Sequence, residues 1–212
     1  MIKSKQENKG RLFMISKVSS NILNYLIRNE VINDTEEERN YYQYGIEITI
    51  SSALNFFLVF LIGAVTRNIL ESIVFMIFFV PIRQITGGYH AKTYFRCNLY
   101  LCMVFVSILL LYRFTNEYIT SYSAILISFI CSSVFVAGCP VENPNKPIPA
   151  EKRVFYKIMA AVLGICYGII AAVLTALSYK TGMLILLTLL AVAMLVIIAV
   201  IEKKGGSSDE EE

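Results

Sequence analysis

The chain contains a single histidine, His90, and one of its five cysteines, Cys97, lies only seven residues after it. A free thiol has a pKa of about 8.5, so only a few per cent of it is thiolate at neutral pH. An imidazole that accepts the thiol proton, or cations such as Lys92 and Arg96 in the same stretch, would stabilise the anion. The residue types therefore predict a candidate catalytic pair, with Cys97 as nucleophile and His90 as base.

The residue types alone also leave a plainer interpretation open. A cysteine at the start of a membrane helix commonly packs as a small apolar side chain, and an interfacial histidine is commonly just solvated. Lys92 and Arg96 would then be anchors whose charged ends extend to the lipid headgroups. Both interpretations stand at this point.

Spacing restricts the geometry that a working pair requires. Residues seven apart on a straight helix are separated by about 10.5 Å along its axis, whereas direct proton transfer needs roughly 2.6 to 3.2 Å. The chain must therefore turn between His90 and Cys97, and the glycines Gly87 and Gly88 provide a backbone that can do so. We expect a bent loop, partly sunk below the membrane surface, with Cys97 at the mouth of the next membrane segment.

The composition places these residues in a membrane protein. The 212 residues are 56% hydrophobic and 17% charged, with a mean hydropathy of +0.61. A net charge of +3 without a basic stripe makes nucleic acid an improbable partner. One histidine and five unevenly spaced cysteines favour neither a zinc site nor a disulfide framework, so we expect no metal and no cofactor.

Six apolar segments are expected to cross the bilayer as an all-α, polytopic helical bundle. Two of them flank the loop of His90 and are short, at 14 and 15 residues. Before them, an amphipathic helix over Phe13–Asn33 is expected either to lie on an anionic leaflet or to pack against the loops of the bundle. The predicted spans are Ile48–Val65, Ile69–Ile82, Asn98–Tyr112, Ile119–Gly138, Val154–Ser178 and Gly182–Ile201.

The whole chain is expected to form one membrane domain. It comprises an interfacial region (1–45), the bundle (46–201) and a polar, acidic tail (202–212). With six crossings, all but three of the 19 Lys and Arg residues fall on the side of both termini; the exceptions are Arg67, Arg113 and Lys180. The positive-inside rule then predicts that both termini are cytoplasmic.

Three stretches together resemble the AgrB family of Gram-positive quorum-sensing membrane peptidases. The first runs from Arg83 through Gly88 and His90 to Cys97, and the likeness extends in order and layout from about Ile15 to Ile201. The matching residues are Arg83-x4-Gly88-x-His90-Ala91-Lys92-Thr93-Tyr94-x2-Cys97, Lys146-Pro147-Ile148-Pro149 and Tyr44-Gly45-x-Glu47.

The resemblance implies a cysteine endopeptidase of the cell membrane, acting as a homodimer on a small AgrD-like precursor peptide. Cys97 would cut off the acidic tail of the precursor as an acyl-enzyme thioester, with His90 as base. A side chain of the precursor would then close a thiolactone or lactone. The supporting or substrate-binding positions are expected to be Arg83, Gln84, Gly87, Gly88, Lys92, Arg96 and Lys146.

A rival from another class is a small membrane transporter or adaptor without catalysis. Such a protein would use polar groups within its spans. Glu47, Glu71 and Lys157 lie near segment ends, where anchoring at the membrane surface is the expected role, and Asn55 is the strongly polar residue at depth. One residue does not make a pathway.

Overall fold

The computed structural model describes residues 13–32, 34–87, 94–115, 120–141 and 150–206. These residues form seven α-helices and no strand, which confirms the all-α prediction. Helices α2 to α7 are long and apolar enough to cross a membrane, so the protein is a polytopic membrane protein. The helices are α1 (Phe13–Arg28), α2 (Glu36–Val65), α3 (Ile69–Thr86), α4 (Tyr94–Thr115), α5 (Ser121–Gly138), α6 (Ala150–Ala176) and α7 (Lys180–Gly206).

The two helices that flank the loop of His90 are longer than their apolar runs. Helix α3 has 18 residues and α4 has 22, which correspond to about 27 and 33 Å at 1.5 Å per residue. Less apolar stretches continue both helices beyond these runs, Arg83 to Thr86 at the end of α3 and Tyr94 to Cys97 at the start of α4. Only the apolar runs are short, because α4 as a whole is long enough for a hydrocarbon core of about 30 Å.

The contacts divide the chain into two compact units. The first comprises the described residues of Met1–Leu61 and Ala91–Cys102, and the second those of Ile62–His90 and Met103–Glu212. The first unit therefore contains α1, most of α2 and the first turns of α4. The second contains α3, the rest of α4, and α5 to α7. The single membrane domain expected from the sequence stays a prediction.

Helix α7 forms the centre of the second unit. It packs against α3, α5 and α6, and a larger share of its apolar residues is buried than in α5 or α6. Helices α5 and α6 approach closely because Gly164 has no side chain: a Cβ there would lie 2.6 Å from Cδ2 of Phe135. The hydroxyl of Ser132 donates to the carbonyl of Gly164 at 3.1 Å, an interhelical bond that suits an apolar surrounding.

Helix α1 has a buried side and an exposed side, and a hydrogen bond joins it to α2. Ser19 and Leu23 are buried, and the Ser19 hydroxyl donates to Glu47 Oε1 at 3.3 Å. Val18, Ile22 and Tyr25 are exposed. One side of α1 is thus covered by protein. The apolar residues on its exposed side could still contact a membrane leaflet.

Candidate functional site

Cys97 is the fourth residue of α4 and is partly buried. The first four backbone N–H groups of a helix lack intrahelical partners, and the helix dipole adds partial positive charge at the same end. Both effects stabilise negative charge near this end of the helix. The expected place of Cys97, at the mouth of the segment after the loop, is where the structure has it.

A stripe of polar residues on α2 connects the elements of the first unit. Its members recur at every fourth position and so share one face of the helix: Gln43, Glu47, Ser51 and Asn55. The Gln43 amide donates to Glu47 Oε1 at 3.1 Å, as Ser19 of α1 also does. One turn further along, the Ser51 hydroxyl donates to Asn98 Oδ1 at 3.0 Å. Asn98 directly follows Cys97, so the stripe connects α2 to the turn that carries the candidate nucleophile.

Glu47 differs from its expected role as an anchor at the membrane surface. It is the twelfth residue of α2, its side chain is 9% exposed, and it accepts hydrogen bonds from Ser19 and Gln43. The difference arises because α2 begins at Glu36, well before the apolar segment that starts at Ile48. Glu47 therefore lies within a continuous helix, where its carboxylate accepts a hydrogen bond from Ser19 of α1.

Arg83 and Gly87 lie at the end of α3, in the second unit. Arg83 Nη1 donates to the carbonyl oxygen of Gly87, which places a cation at the negative end of the helix dipole. The carbonyl of Thr86 accepts from the N–H of Val141 at 3.0 Å, and Gly87 and Val141 form a parallel bridge. The end of α3 is thereby fixed to the segment that follows α5.

Gly87 is required by this bridge. Its φ is +68°, in the region that favours glycine, and a Cβ would lie 2.4 Å from the carbonyl oxygen of Val141. In sequence, Gly87 leads to Gly88 and His90, and Val141 leads to Lys146. The bridge therefore includes a residue of the first stretch that carries the family resemblance and a residue that lies five positions before the second.

Cys139 lies beside this junction and contrasts with Cys97. Its side chain is 5% exposed, and burial raises the pKa of its thiol to about 12, although the positive charge of Arg83 acts to lower it. A buried neutral thiol packs as an apolar group and is a poor nucleophile near neutral pH.

The described site residues separate into two groups. Arg83 and Gly87 meet at the end of α3, where the Gln84 side chain is exposed. Cys97 and an exposed Arg96 lie in the first turn of α4. The remaining predicted site residues lie outside the described ranges, and their roles stay predictions: Gly88, His90, Lys92 and Lys146.

Ser51 and Asn98 are two site residues that the sequence pattern around Cys97 does not single out. The signal that could have found them is the four-residue spacing of polar positions along α2, from Gln43 through Glu47 and Ser51 to Asn55. Serine is small and common in membrane helices, so Ser51 did not stand out within an apolar segment. Asn98 stands in the sequence only as the first residue of the apolar run Asn98–Tyr112.

Comparisons with known proteins give a consistent family. A putative AgrB-like protein of Clostridium beijerinckii is 26% identical over 173 residues, which is 81% of this chain and 84% of that protein. A putative AgrB-like protein of Clostridium perfringens (strain SM101 / Type A) is 29% identical over 58% of this chain, and the match spans 59% of the relative's length. Protein FsrB of Enterococcus faecalis (strain ATCC 47077 / OG1RF) is 20% identical over 64% of this chain and 58% of its own.

No solved structure matches this chain significantly. The family model described as accessory gene regulator B matches residues 19–200, a range that contains α2 to α6 and most of α1 and α7. It therefore includes both the turn of Cys97 and the bridge at Gly87. Because this match covers most of the chain, the protein belongs to the AgrB family.

Proposed function

We propose that this chain is a membrane cysteine endopeptidase and peptide cyclase of a quorum-sensing system. The observation that carries the proposal is the position of Cys97, in the N-terminal turn of α4 and seven residues after the single histidine, in a chain that the family model matches over 19–200. The substrate is a short AgrD-like precursor with an acidic C-terminal tail.

The chemistry has two acyl transfers. His90 takes the proton of Cys97, the thiolate attacks a backbone carbonyl of the precursor, and the carbon–nitrogen bond breaks as His90 protonates the departing amine of the tail. A Cys or Ser side chain of the precursor then attacks the Cys97 thioester, which forms a thiolactone or lactone and returns the thiol of Cys97. The N-terminal dipole of α4 would favour the negative charge in both steps.

Water must be kept from the acyl-enzyme for the ring to close. Exchange of one thioester for another is nearly balanced in energy, so hydrolysis is the competing loss. The partial burial of Cys97, next to an almost fully buried Asn98, supports a site with restricted access to water. We expect ring closure to be faster than hydrolysis for this reason.

The basic residues of the motif would bind the acidic tail, each weakly. An exposed ion pair contributes about 0 to 1 kcal/mol, so several are needed. Arg96 is exposed in the first turn of α4 and is the best placed among the described residues. Arg83, with its bond to the Gly87 carbonyl, is assigned to hold the end of α3, with Gln84, Gly87 and Gly88 as supporting positions. Lys92 and Lys146 complete the proposed tail-binding set.

The proposal extends to the setting of the enzyme. We propose a single multi-pass domain in the cell membrane of a Gram-positive bacterium, with both termini cytoplasmic and two copies forming a homodimer. The six long apolar helices support the multi-pass arrangement. The distribution of Lys and Arg supports the orientation.

A transporter or adaptor without catalysis is the rival assignment. It would need polar groups that line a path through the spans. Glu47 accepts hydrogen bonds from Ser19 and Gln43, and Ser51 donates to Asn98. These partners support a role for the α2 stripe in joining helices, which is why the peptidase is preferred.

The test is co-expression with the small open reading frame adjacent to the gene, followed by mass measurement of the released peptide. Cys97→Ala and His90→Ala should each abolish tail removal while leaving membrane insertion intact. The double variant should be no worse than either, because catalytic partners act as a unit. The matched controls should retain cleavage: Cys102→Ala, Cys131→Ala, Cys139→Ala and Cys166→Ala. Normal cleavage by Cys97→Ala would refute the enzyme assignment.

A further inference from the structure

The hydrogen bond between Ser51 and Asn98 is buried and lies next to the candidate nucleophile. Ser51 is 6% exposed and Asn98 is 3% exposed, and the two residues are 47 positions apart in sequence. Asn98 follows Cys97 in the second turn of α4. Within the first unit, this contact joins the start of α4 to α2.

A tertiary hydrogen bond restricts motion more at the start of a helix than in its middle. The first turn has fewer intrahelical hydrogen bonds, and helix ends fray. A rotation of about 20° about the helix axis displaces an atom about 4 Å from that axis by more than 1 Å. A nucleophile misplaced by about 1 Å can lose roughly 100-fold in rate. The direction of the Cys97 thiol therefore depends on what fixes the rotation of this turn.

We propose that Ser51 and Asn98 are positioning residues that fix the rotation of the first turns of α4 and so aim Cys97 at the precursor carbonyl. This inference rests on the proposed function. Rotation of the turn away from α2 would break the bond and leave a buried amide and hydroxyl without partners in an apolar surrounding, which is unfavourable. One rotation of the turn is thereby selected, and neither residue touches the reacting atoms.

Glu47 helps to hold the part of α2 that carries Ser51. It lies one turn before Ser51 on the same face and is joined to α1 through Ser19. The helix face that holds Asn98 is therefore itself attached to a neighbouring helix. Ser52, the next residue along, is exposed and offers a matched control for any change at Ser51.

The first measurement is the rate of tail release by the full chain in lipid nanodiscs, with the adjacent small precursor as substrate. Ser51→Ala and Asn98→Ala should lower kcat by about 10- to 100-fold with KM changed less than about twofold. Ser51→Thr keeps a hydroxyl and should restore kcat, and Ser52→Ala should match the wild type. The double variant Ser51→Ala/Asn98→Ala should be no slower than the single variants, because one bond is lost in each.

A second measurement does not depend on peptidase activity. In a chain whose other four cysteines are changed to Ala, Cys97 is alkylated with a bulky maleimide at fixed pH. Ser51→Ala should speed this reaction at least about threefold relative to Ser52→Ala, because a less constrained turn exposes a partly buried thiol more often.

The two measurements separate the possible failures. If the wild type does not cut the precursor, the proposed function fails and the catalytic part of this inference fails with it. The alkylation rate then decides whether the pair fixes the turn of Cys97, and equal rates in Ser51→Ala and Ser52→Ala would overturn that as well. If the wild type cuts, unchanged kcat in Ser51→Ala overturns the positioning role. A fall in kcat that only follows a fall in melting temperature, with no recovery in Ser51→Thr, also overturns it and leaves the pair a packing contact.

Discussion

At the scale of residues, chemically similar side chains have different surroundings and therefore different proposed roles. Cys97 and Cys139 are both near helix ends, yet Cys97 lies in the first turn of α4 and is partly buried, whereas Cys139 follows α5 and is almost fully buried. Arg83 and Arg96 are both basic residues of the same motif. Arg83 is bonded to the end of its own helix, and the side chain of Arg96 is exposed. Sequence spacing cannot separate these roles, because it does not show which side of a helix is covered.

The thiols should differ in their reaction with iodoacetamide between pH 7 and 9. Burial raises the pKa of Cys139 to about 12, so its thiolate share stays very small across this range. The expected result is modification of Cys97 well before Cys139, with Cys139 gaining reactivity only as the pH approaches 12. Peptide mapping by mass spectrometry measures both sites in one sample. Equal rates at pH 8 would contradict this assignment.

Gly87→Ala tests the bridge between the end of α3 and Val141. The new Cβ would lie 2.4 Å from the Val141 carbonyl oxygen, at a φ of +68° that disfavours side chains. We expect a loss of about 1 to 3 kcal/mol in stability, seen as a lower melting temperature in detergent, together with reduced cleavage. Gly45→Ala is the control, since a Cβ at that position would meet nothing within 4 Å and alanine favours a helix. Equal melting temperatures for the two variants would argue against the bridge.

At the scale of elements, apolar runs predicted the six spans but not their ends. Helices end where backbone hydrogen bonding stops, and the less apolar stretches Arg83 to Thr86 and Tyr94 to Cys97 remain helical beyond the apolar runs. Thr120 shows the opposite case: its side chain accepts from the N–H of Ser123, so α5 starts at Ser121 and not at Ile119. Hydropathy reports burial in lipid and carries no information about caps.

The candidate site was predictable only in part for a related reason. The types and spacing of His90 and Cys97 indicate their chemistry directly. The bridge between Gly87 and Val141, and the bond between Ser51 and Asn98, each join residues more than 40 positions apart. Such pairings arise when whole helices pack together. Residue types and spacing in a single sequence do not show which helices will meet.

Close packing of α5 on α6 yields a prediction at this scale. Gly164→Ala would place a Cβ 2.6 Å from Phe135 Cδ2, so the helices must separate or Phe135 must move. We expect a loss of about 1 to 3 kcal/mol, measured by thermal unfolding. Adding Phe135→Leu should recover part of the loss, although Phe135→Leu alone should destabilise the buried core. Purely additive effects would mean that the two residues are not in contact.

At the scale of the whole molecule, charge and hydropathy together suggest how the chain lies in a membrane. Six helices are long and apolar enough to cross, and an even number of crossings puts both termini on one side. The Lys and Arg residues are concentrated on that side, apart from Arg67, Arg113 and Lys180. The proposed orientation therefore depends on all six helices crossing, including α3 and α4.

Accessibility labelling tests this orientation. In a cysteine-free background, single cysteines near Lys146 and Lys203 should react with a membrane-impermeant reagent only from the cytoplasmic side. A cysteine near Arg113 should react only from outside. Because the reagent reports sidedness and not activity, loss of catalysis in this background does not matter. Cytoplasmic labelling near Arg113 would show that α3 or α4 does not cross alone, and the orientation would need to be redrawn.

The most direct measurement of the central claim is the mass of the enzyme during one turnover. A precursor whose internal Cys is changed to Ala should still lose its tail, but it has no side chain to release itself from Cys97. With excess enzyme and rapid acid quenching, the account predicts an adduct on Cys97. Its mass should equal that of the truncated precursor less one water, and neutral hydroxylamine should remove it. Normal tail release with no adduct at the earliest times, in repeated trials, would contradict the covalent mechanism.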